Sequence, residues 1–251
     1  MMKIIGIIPA RYASSRFPGK PLVEINGKTM IQRVYEQAKK AKLLTEVVVA
    51  TDDERIREHV IAFGGKALMT STLHRTGTDR CNEIITKLEA EGNHFDVAIN
   101  IQGDEPYIQP EQIDLLAAEF EKPGVSIATL IKKLCDTKEL FSPNIIKVIK
   151  DRSDRAIYFS RTAIPFLRDK NSETWLQFHT YYKHIGIYAY RTGTLKEITA
   201  LKAGALELVE SLEQLRWLEN GYEIFVTETT FESHSVDVRE DLLKFDPAAD
   251  D

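Results

Sequence analysis

A chain of 251 residues, 43% hydrophobic and 28% charged, holds enough apolar side chain for a sizeable core and excludes a disordered sequence. The 38 acidic against 33 basic residues leave a formal charge of −5, which argues against wholesale coating of nucleic acid. Two cysteines, Cys81 and Cys135, make neither a disulfide framework nor a zinc cluster, and such sparse usage suits a reducing cytoplasm.

In chain order, short apolar runs over Lys3–Ile8, Glu46–Ala50, Lys66–Met69, Asp96–Ile101 and Val125–Ile131 read as strands, each bounded by polar, Gly or Pro residues. The first apolar stretch, Ile4–Ala10, contains Pro9 and ends at Arg11. It is too short to span a membrane and lacks the leader and cleavage pattern of a secretory signal, so a cytoplasmic location is expected. Continuous rather than alternating apolarity predicts strands buried on both faces, the habit of a parallel sheet.

Helical patterns lie between these runs. Met30, Ile31, Val34, Tyr35 and Ala38 share one face, with Thr29 placed to cap it. Ile56, Val60 and Ile61 repeat at helical spacing after Asp52 and Asp53, and Gly64-Gly65 stop that helix. A third helix runs through Ile84, Ile85 and Leu88. A fourth opens at Pro110 and carries Ile113, Leu116, Ala117 and Phe120. In the second half, Ile145–Ile149, Ala156–Phe159, Ile185–Tyr190 and Glu223–Thr227 read as strands. Leu206–Asn220 reads as one helix with Leu208, Leu212, Leu215 and Leu218 inward and Gly221 as its stop.

The order β-α-β-α predicts an α/β fold built on a doubly wound, mostly parallel open sheet, Rossmann-like, with a smaller β-rich lobe. No linker or repeat divides the chain, so residues 1–251 are expected to form a single domain with that lobe within roughly 140–200. Ligands of such sheets bind outside the carboxyl ends of the strands, which directs attention to the loops after Ile8, Ala50 and Ile101.

The first of these loops departs from a Walker phosphate loop and from a dinucleotide Gly fingerprint. From Pro9 to Lys28 it carries Arg11, Arg16, Lys20 and Lys28 against Glu24 alone, a net +3 within a −5 chain. Ala13, Ser14 and Ser15 are small enough for backbone amides to approach an anion, and Gly19 allows a tight bend between Pro18 and Pro21. The segment reads either as a triphosphate cradle, with arginine forks and lysine point charges, or as a solvated basic loop. The loop Gln102-Gly-Asp-Glu-Pro106 delivers Asp104 at a strand end, either as a ligand for Mg²⁺ or as an ordinary acidic turn. Gly103 lets the backbone pass close to a substrate. Thr76-Gly-Thr-Asp-Arg80 opens a helix whose free amides suit nucleotide groups, while Thr78 or Asp79 equally suits a helix cap. Asp237 is either a second metal ligand or a cap, and His184, entering a strand, is either structural or catalytic.

Together these segments resemble the 3-deoxy-manno-octulosonate (Kdo) cytidylyltransferase family over nearly the whole chain. The resemblance is carried by IIPARYASSRFPGKPL (7–22), VATDDERI (49–56), GTDR (77–80), NIQGDEP (100–106), AIYFSRTAIP (156–165), HIGIYAYR (184–191), LEQLRWLENG (212–221) and VDVREDL (236–242). The family commonly has Ser where Thr76 stands, and Thr-Pro where Val238-Arg239 follow Asp237.

The resemblance implies a Mg²⁺-dependent, cytoplasmic, homodimeric enzyme. It would transfer CMP from CTP to the anomeric hydroxyl of Kdo, releasing pyrophosphate and supplying lipopolysaccharide biosynthesis. By matching position, Arg11 and Lys20 would hold the triphosphate, assisted by Ser15 and Arg16, with Gly77 and Thr78 near the cytidine. Asp104 and Asp237 would bind Mg²⁺. Gln102, Arg161, Arg168, His184, Tyr188, Glu213 and Gln214 would line the sugar-acid pocket, an arginine being suited to the carboxylate. Lys20, Asp104 and Asp237 would be the catalytic set. The alternatives are a cytidylyltransferase for 8-amino-Kdo or a nonulosonic acid, and a noncatalytic nucleotide-binding sensor. The segments FSR, HIGIY and LEQL argue against the nonulosonic acid, and retention of Lys20 and both acids argues against the sensor.

Overall fold

The computed structural model describes residues 2–13, 17–232, 234–236 and 238–245. Strand β1 (Ile4–Ala10) is flanked by β4 (Glu46–Thr51) on one side and β6 (Val97–Asn100) on the other, all parallel; β5 (Ala67–Met69) extends the sheet beyond β4. Between β1 and β4 lie a two-stranded hairpin, β2 (Glu24–Ile25) and β3 (Lys28–Thr29), and helix α1 (Met30–Ala38). Asn26 and Gly27 both have positive φ, 48° and 76°, as a two-residue hairpin turn requires. Helices α2 (Glu54–Ala62), α3 (Gly77–Ala90) and α4 (Pro110–Glu119) connect the strands that follow.

The second half continues the same sheet. After β7 (Ile127–Lys133) and the short α5 (Thr137–Phe141) come β8 (Lys147–Lys150) and β9 (Ala156–Ser160), paired antiparallel. The short α6 (Trp175–Phe178) leads into β10 (Tyr182–Arg191), followed by α7 (Thr192–Thr199), α8 (Ala205–Glu210), α9 (Gln214–Glu219) and β11 (Phe225–Glu228). The order across the sheet is β11-β7-β10-β6-β1-β4-β5, and β8 joins β10 off this path. Only β10 runs against its neighbours on that path, so these seven strands are mostly parallel with one reversed, and off the path β9 is reversed as well.

Helices cover both faces, because successive strand residues point to opposite sides. Ile4 and Ile8 of β1 and Val47 and Val49 of β4 pack with Ile31 and Val34 of α1, Ile56 and Val60 of α2, and Ile113 and Leu116 of α4. Ile5, Ile7, Val48 and Ala50 pack on the other face with Ile84, Ile85 and Leu88 of α3, Leu195 of α7, and Leu215 and Trp217 of α9. Thr29 caps α1, Asp53 caps α2, and Gly64 at φ 82° ends the latter's turn. Chain order β1, β4, β5 runs one way from the centre and β6 lies the other way. The loops after β1 and β6 therefore diverge at the topological switch point of the sheet. Among the described residues no helix is long and apolar enough to cross a membrane.

Two expectations fail. Ile61 is 50% exposed, so α2 buries only a narrow stripe at Ile56 and Val60. The helix expected over 206–220 is two short helices. Ser211 takes left-handed angles (φ 53°, ψ 49°) and turns the chain. The turn is held by Arg216, whose Nε and Nη2 donate to the Glu207 carboxylate at 2.7 and 2.6 Å, and by Leu206 N, which donates to Glu219 Oε2 at 3.1 Å. Leu212 and Leu215 are therefore buried, while Leu208 is 69% exposed. Leu215→Ala should cost ~2–5 kcal/mol, and Leu208→Ala no more than ~0.5 kcal/mol. Urea unfolding of the two variants checks this; a continuous helix with all four leucines inward would make both costs large.

Candidate active site

The basic loop after β1 is closed on itself by Gly19 N, which donates to Tyr12 O at 2.9 Å. Gly19 sits at φ 72° with the Tyr12 ring 3.3 Å from where a Cβ would lie, so the bend needs glycine twice over. Ser15 and Arg16 lie outside the described residues. Phe17 anchors the returning strand of the loop with Ile25, Met30 and Val236. Lys20 then begins a 3-10 turn (Lys20–Leu22), and its Nζ donates to Asp104 Oδ2 at 2.7 Å and to Val236 O at 2.8 Å.

The loop after β6 meets it directly. A Cβ on Gly103 would stand 2.5 Å from Pro9 O, a backbone atom with nowhere to go, so only glycine permits this approach. The glycine that the sequence suggested for a substrate thus admits the end of the neighbouring strand β1. The C-terminal segment joins the same knot, for Val236 N donates to Asp104 O at 2.9 Å. Asp237, the next residue, lies outside the described residues.

The N-terminus of α3 is wedged between these strand ends, with a Cβ on Gly77 only 3.2 Å from both Pro9 and Asn100. Thr76 is its N-cap, in a reciprocal capping box with Asp79, which settles the cap left open between Thr78 and Asp79. Thr78 is released to donate Oγ1 to Glu213 Oε2 at 2.9 Å. Arg80, 1% exposed, braces the helix by donating to Asp52 Oδ2 and Thr70 Oγ1, each at 2.7 Å.

Two adjoining recesses open along this edge. The smaller, about 230 Å³, is lined by Arg11, Lys20, Arg75 and Arg80. The larger, about 890 Å³, is lined by Thr78, Asn100, Lys183, His184, Tyr188, Tyr190 and Glu213, among others. Gly77, Gln102 and Asp104 belong to both, so Asp104 stands where a cationic recess meets a roomy polar one. Within the larger, Asn100 Oδ1 is buried with no hydrogen-bond partner, and the buried Tyr188 and Tyr190 hydroxyls have only the Thr129 and Thr78 side chains beside them. Such groups are costly unless a ligand or water pairs them.

Electrostatics on the walls of the larger recess are set by burial. Burial pushes the Glu213 carboxyl above the usual carboxylate range. It raises the Tyr188 and Tyr190 hydroxyls well above the usual tyrosine value, with the Glu213 charge adding to the effect. His184 is pushed down to about 3 and is neutral near pH 7. Lys183 opposes the trend. Burial works against its charge, yet Glu232 at 2.7 Å and Glu139 at 2.9 Å outweigh it and hold it above the usual lysine value.

Of the residues the sequence singled out, Arg11, Lys20, Gly77, Thr78, Gln102, Asp104, His184, Tyr188 and Glu213 converge on these recesses. Arg161 does not. Its Nε, Nη1 and Nη2 donate to the carbonyls of Glu210, Pro143 and Ser211, pinning the turn after α8. Arg168 projects into solvent beside Asp169, with 89% of its side chain exposed. Gln214 is buried in α9 but lines neither recess. Lys183, Asn100 and Arg75 line them without having been singled out. A lysine opening an apolar strand, and an Asn closing one, were the available signals.

The profile of the family described as Cytidylyltransferase matches residues 5–225, which sets the class of the protein. The chain is 56% identical over 244 residues to the 3-deoxy-manno-octulosonate cytidylyltransferase of Cytophaga hutchinsonii, covering 97% of this chain and 96% of that one. It is 56% identical over 248 residues to that of Parabacteroides distasonis, covering 97% of each. A solved structure of CMP:2-keto-3-deoxy-manno-octonic acid synthetase complexed with CTP superposes with a TM-score of 0.88 at 42% identity, over 96% of both chains. The protein belongs to the 3-deoxy-manno-octulosonate cytidylyltransferase family. A 4-diphosphocytidyl-2C-methyl-D-erythritol synthase from Anaerococcus prevotii, 12% identical with a TM-score of 0.63 over 100% of this chain and 99% of that one, shares the fold alone.

Because His184 has a folded pKa of about 3 against 6.5 in the unfolded chain, the unfolded state binds its proton first as pH falls. Its contribution to stability is whole above pH 6.5 and is lost between 6.5 and 3, at up to ~1.4 kcal/mol per pH unit. Urea unfolding of the wild type and His184→Gln from pH 7 to pH 4 checks this. The wild type should lose stability relative to the variant throughout that interval.

Proposed function

We propose that this protein transfers CMP from CTP to the anomeric hydroxyl of 3-deoxy-manno-octulosonate, giving CMP-Kdo and pyrophosphate. The product is the activated sugar used for lipopolysaccharide. The observation that carries the reading is Asp104, bonded to Lys20 at the junction of the cationic recess and the larger polar one. A triphosphate suits the first and a polyhydroxylated acid the second. The relatives' names and the CTP complex of the similar structure support it.

The acceptor's 2-hydroxyl oxygen forms a bond to the α-phosphorus of CTP. The bond from that phosphorus to the bridging oxygen breaks in line, pyrophosphate leaves with the electron pair, and the hydroxyl proton passes to solvent. Little covalent work falls to the protein, so positioning and charge neutralisation dominate. Arg11 and Lys20, with Ser15 and Arg16, hold the triphosphate. Gly77 and Thr78 lie on the nucleoside side. Gln102, His184, Tyr188 and Glu213 serve the sugar acid, and Gln214, which lines neither recess, backs Glu213 from within α9. Arg161 and Arg168 reach its carboxylate only after a change of conformation around 161–168.

Magnesium fits the donors present. Mg²⁺ takes one or two carboxylates and fills its remaining positions with phosphate oxygens and water. Asp104 supplies one such carboxylate beside the phosphate-binding cations, and Asp237 follows the residue bonded to its backbone. No group of three or more His, Cys, Asp or Glu forms a cluster among the described residues, and such a site requires none. Asp104 and Asp237 would hold the ion, which when bound neutralises charge on the triphosphate. The same reading takes the chain as one domain, with residues 140–200 as a sugar-binding and dimerisation lobe, and the protein as a cytoplasmic homodimer. Asn144, Ile145 and Ile146 on the wall of the larger recess support the lobe's sugar-binding part.

Pyrophosphate formation tests the reading. It should require CTP, Mg²⁺ and 3-deoxy-manno-octulosonate together. UTP, GTP, ATP, a nonulosonic acid and omission of the acceptor should give none, and the 8-amino analogue should be slower. Asp104→Asn should lower Mg²⁺-dependent turnover by roughly 100-fold or more. Nucleotide binding without turnover on any acceptor would overturn the proposal in favour of a sensor.

A further inference from the structure

We propose that Thr129 is a positioning residue that fixes His184 in the tautomer protonated on Nε2, leaving Nδ1 as the ring's open hydrogen-bond acceptor for a hydroxyl of the sugar acid. This rests on the reading that His184 serves the acceptor.

The argument begins with a break in register. On β10, His184 pairs with Ile131 and Ile185 with Leu130, but the next pair is Tyr188 with Thr129. Gly186 and Ile187 therefore have no opposite number on β7, and the carbonyls around this bulge must find donors elsewhere. Gly186 O receives Gln102 Nε2 at 2.9 Å. Thr129 Oγ1, wholly buried, lies 2.7 Å from Ile187 O and 3.2 Å from Ile185 O. A hydroxyl has one proton, and a carbonyl can only accept it. With that proton committed to the bulge, the Thr129 oxygen can only accept from its other neighbours, the Tyr188 hydroxyl and His184 Nε2, the latter at 3.0 Å. Nε2 must then carry the proton of the ring.

Packing removes the freedom to choose otherwise. The imidazole stands edge-on to Phe159 at 5.2 Å and tilted against Tyr188 at 5.2 Å, which confines its rotation. Burial keeps the ring neutral, so one nitrogen donates and the other accepts. The alternative tautomer would draw the Thr129 proton to Nε2 and strip it from the bulge carbonyls. The order of constraint thus runs from strand register to hydroxyl to imidazole.

The test uses the full-length protein with CTP, Mg²⁺ and 3-deoxy-manno-octulosonate. Imidazole ¹⁵N shifts of His184 should report the Nε2-protonated tautomer in the wild type and in Thr129→Ser, and a shift toward the Nδ1-protonated form in Thr129→Val. Thr129→Val should raise KM for the sugar acid about tenfold, with KM for CTP unchanged, and Thr129→Ser should restore it. An Nδ1-protonated wild type would overturn the proposal even if Thr129→Val fails to fold. So would Thr129→Val with an unchanged tautomer and acceptor KM while His184→Ala raises that KM. An unchanged acceptor KM in His184→Ala would instead remove the reading of the site on which the proposal stands.

Discussion

The ammonium of Lys20 ties together three stretches that are far apart in sequence: the loop after β1, Asp104 after β6, and the chain at Val236. Each segment is otherwise a connection running over a strand end. Where they cross, charge-assisted hydrogen bonds in a partly buried setting hold them at fixed separation. The knot forms because the strand order reverses between β1 and β6 and leaves a crevice there, and because Gly103 lets the loop after β6 lie against the end of β1. The cationic recess, the position of Asp104 and the mouth of the larger recess all follow from that crossing.

Around this centre the second half supplies much of the wall of the larger recess. On that wall, Lys183 is clamped between Glu139 and Glu232. Lys147, fully buried, donates to the carbonyls of Ser142, Ile145 and Arg161, fixing the loop that carries Asn144 and Ile145 to the recess wall. A wall so pre-set loses little conformational entropy when a polar ligand arrives.

The parallel core was legible because a strand buried on both faces is apolar throughout, as in Ile4–Ile8 and Val47–Ala50. The helices α1, α3 and α4 were legible because their buried residues repeat at helical spacing. The break at Ser211 was not. The leucine spacing continues through it, and what stops the helix is the pairing of Arg216 with Glu207 and of Glu219 with the Leu206 amide. The hairpin at Asn26-Gly27 escaped because two-residue strands have no periodicity to read, although that dipeptide favours such a turn. Strand β10 begins three residues earlier than its apolar run, since Tyr182 and Lys183 pair with β8 as well as β7. At the site, motifs located the residues on the loops. Thr129 acts through partners on β10, and Lys183 through Glu139 on α5 and Glu232 beyond β11, which spacing along the chain does not reveal.

The reversed direction of β10 has a consequence for how such a site can change. A parallel strand reaches the recess only through its carboxyl end and the loop that follows it, but β10 runs the other way and lines the larger recess with its opening residues, from Lys183 to Tyr188, before crossing the sheet. Its later part, Ala189–Arg191, is held by β6 and β7 and still sends Tyr190 to the recess. The wall of the larger recess therefore draws on side chains along the body of β10 as well as on loops, so substitutions on this one strand reshape that recess while β1, β4 and β6 keep their register.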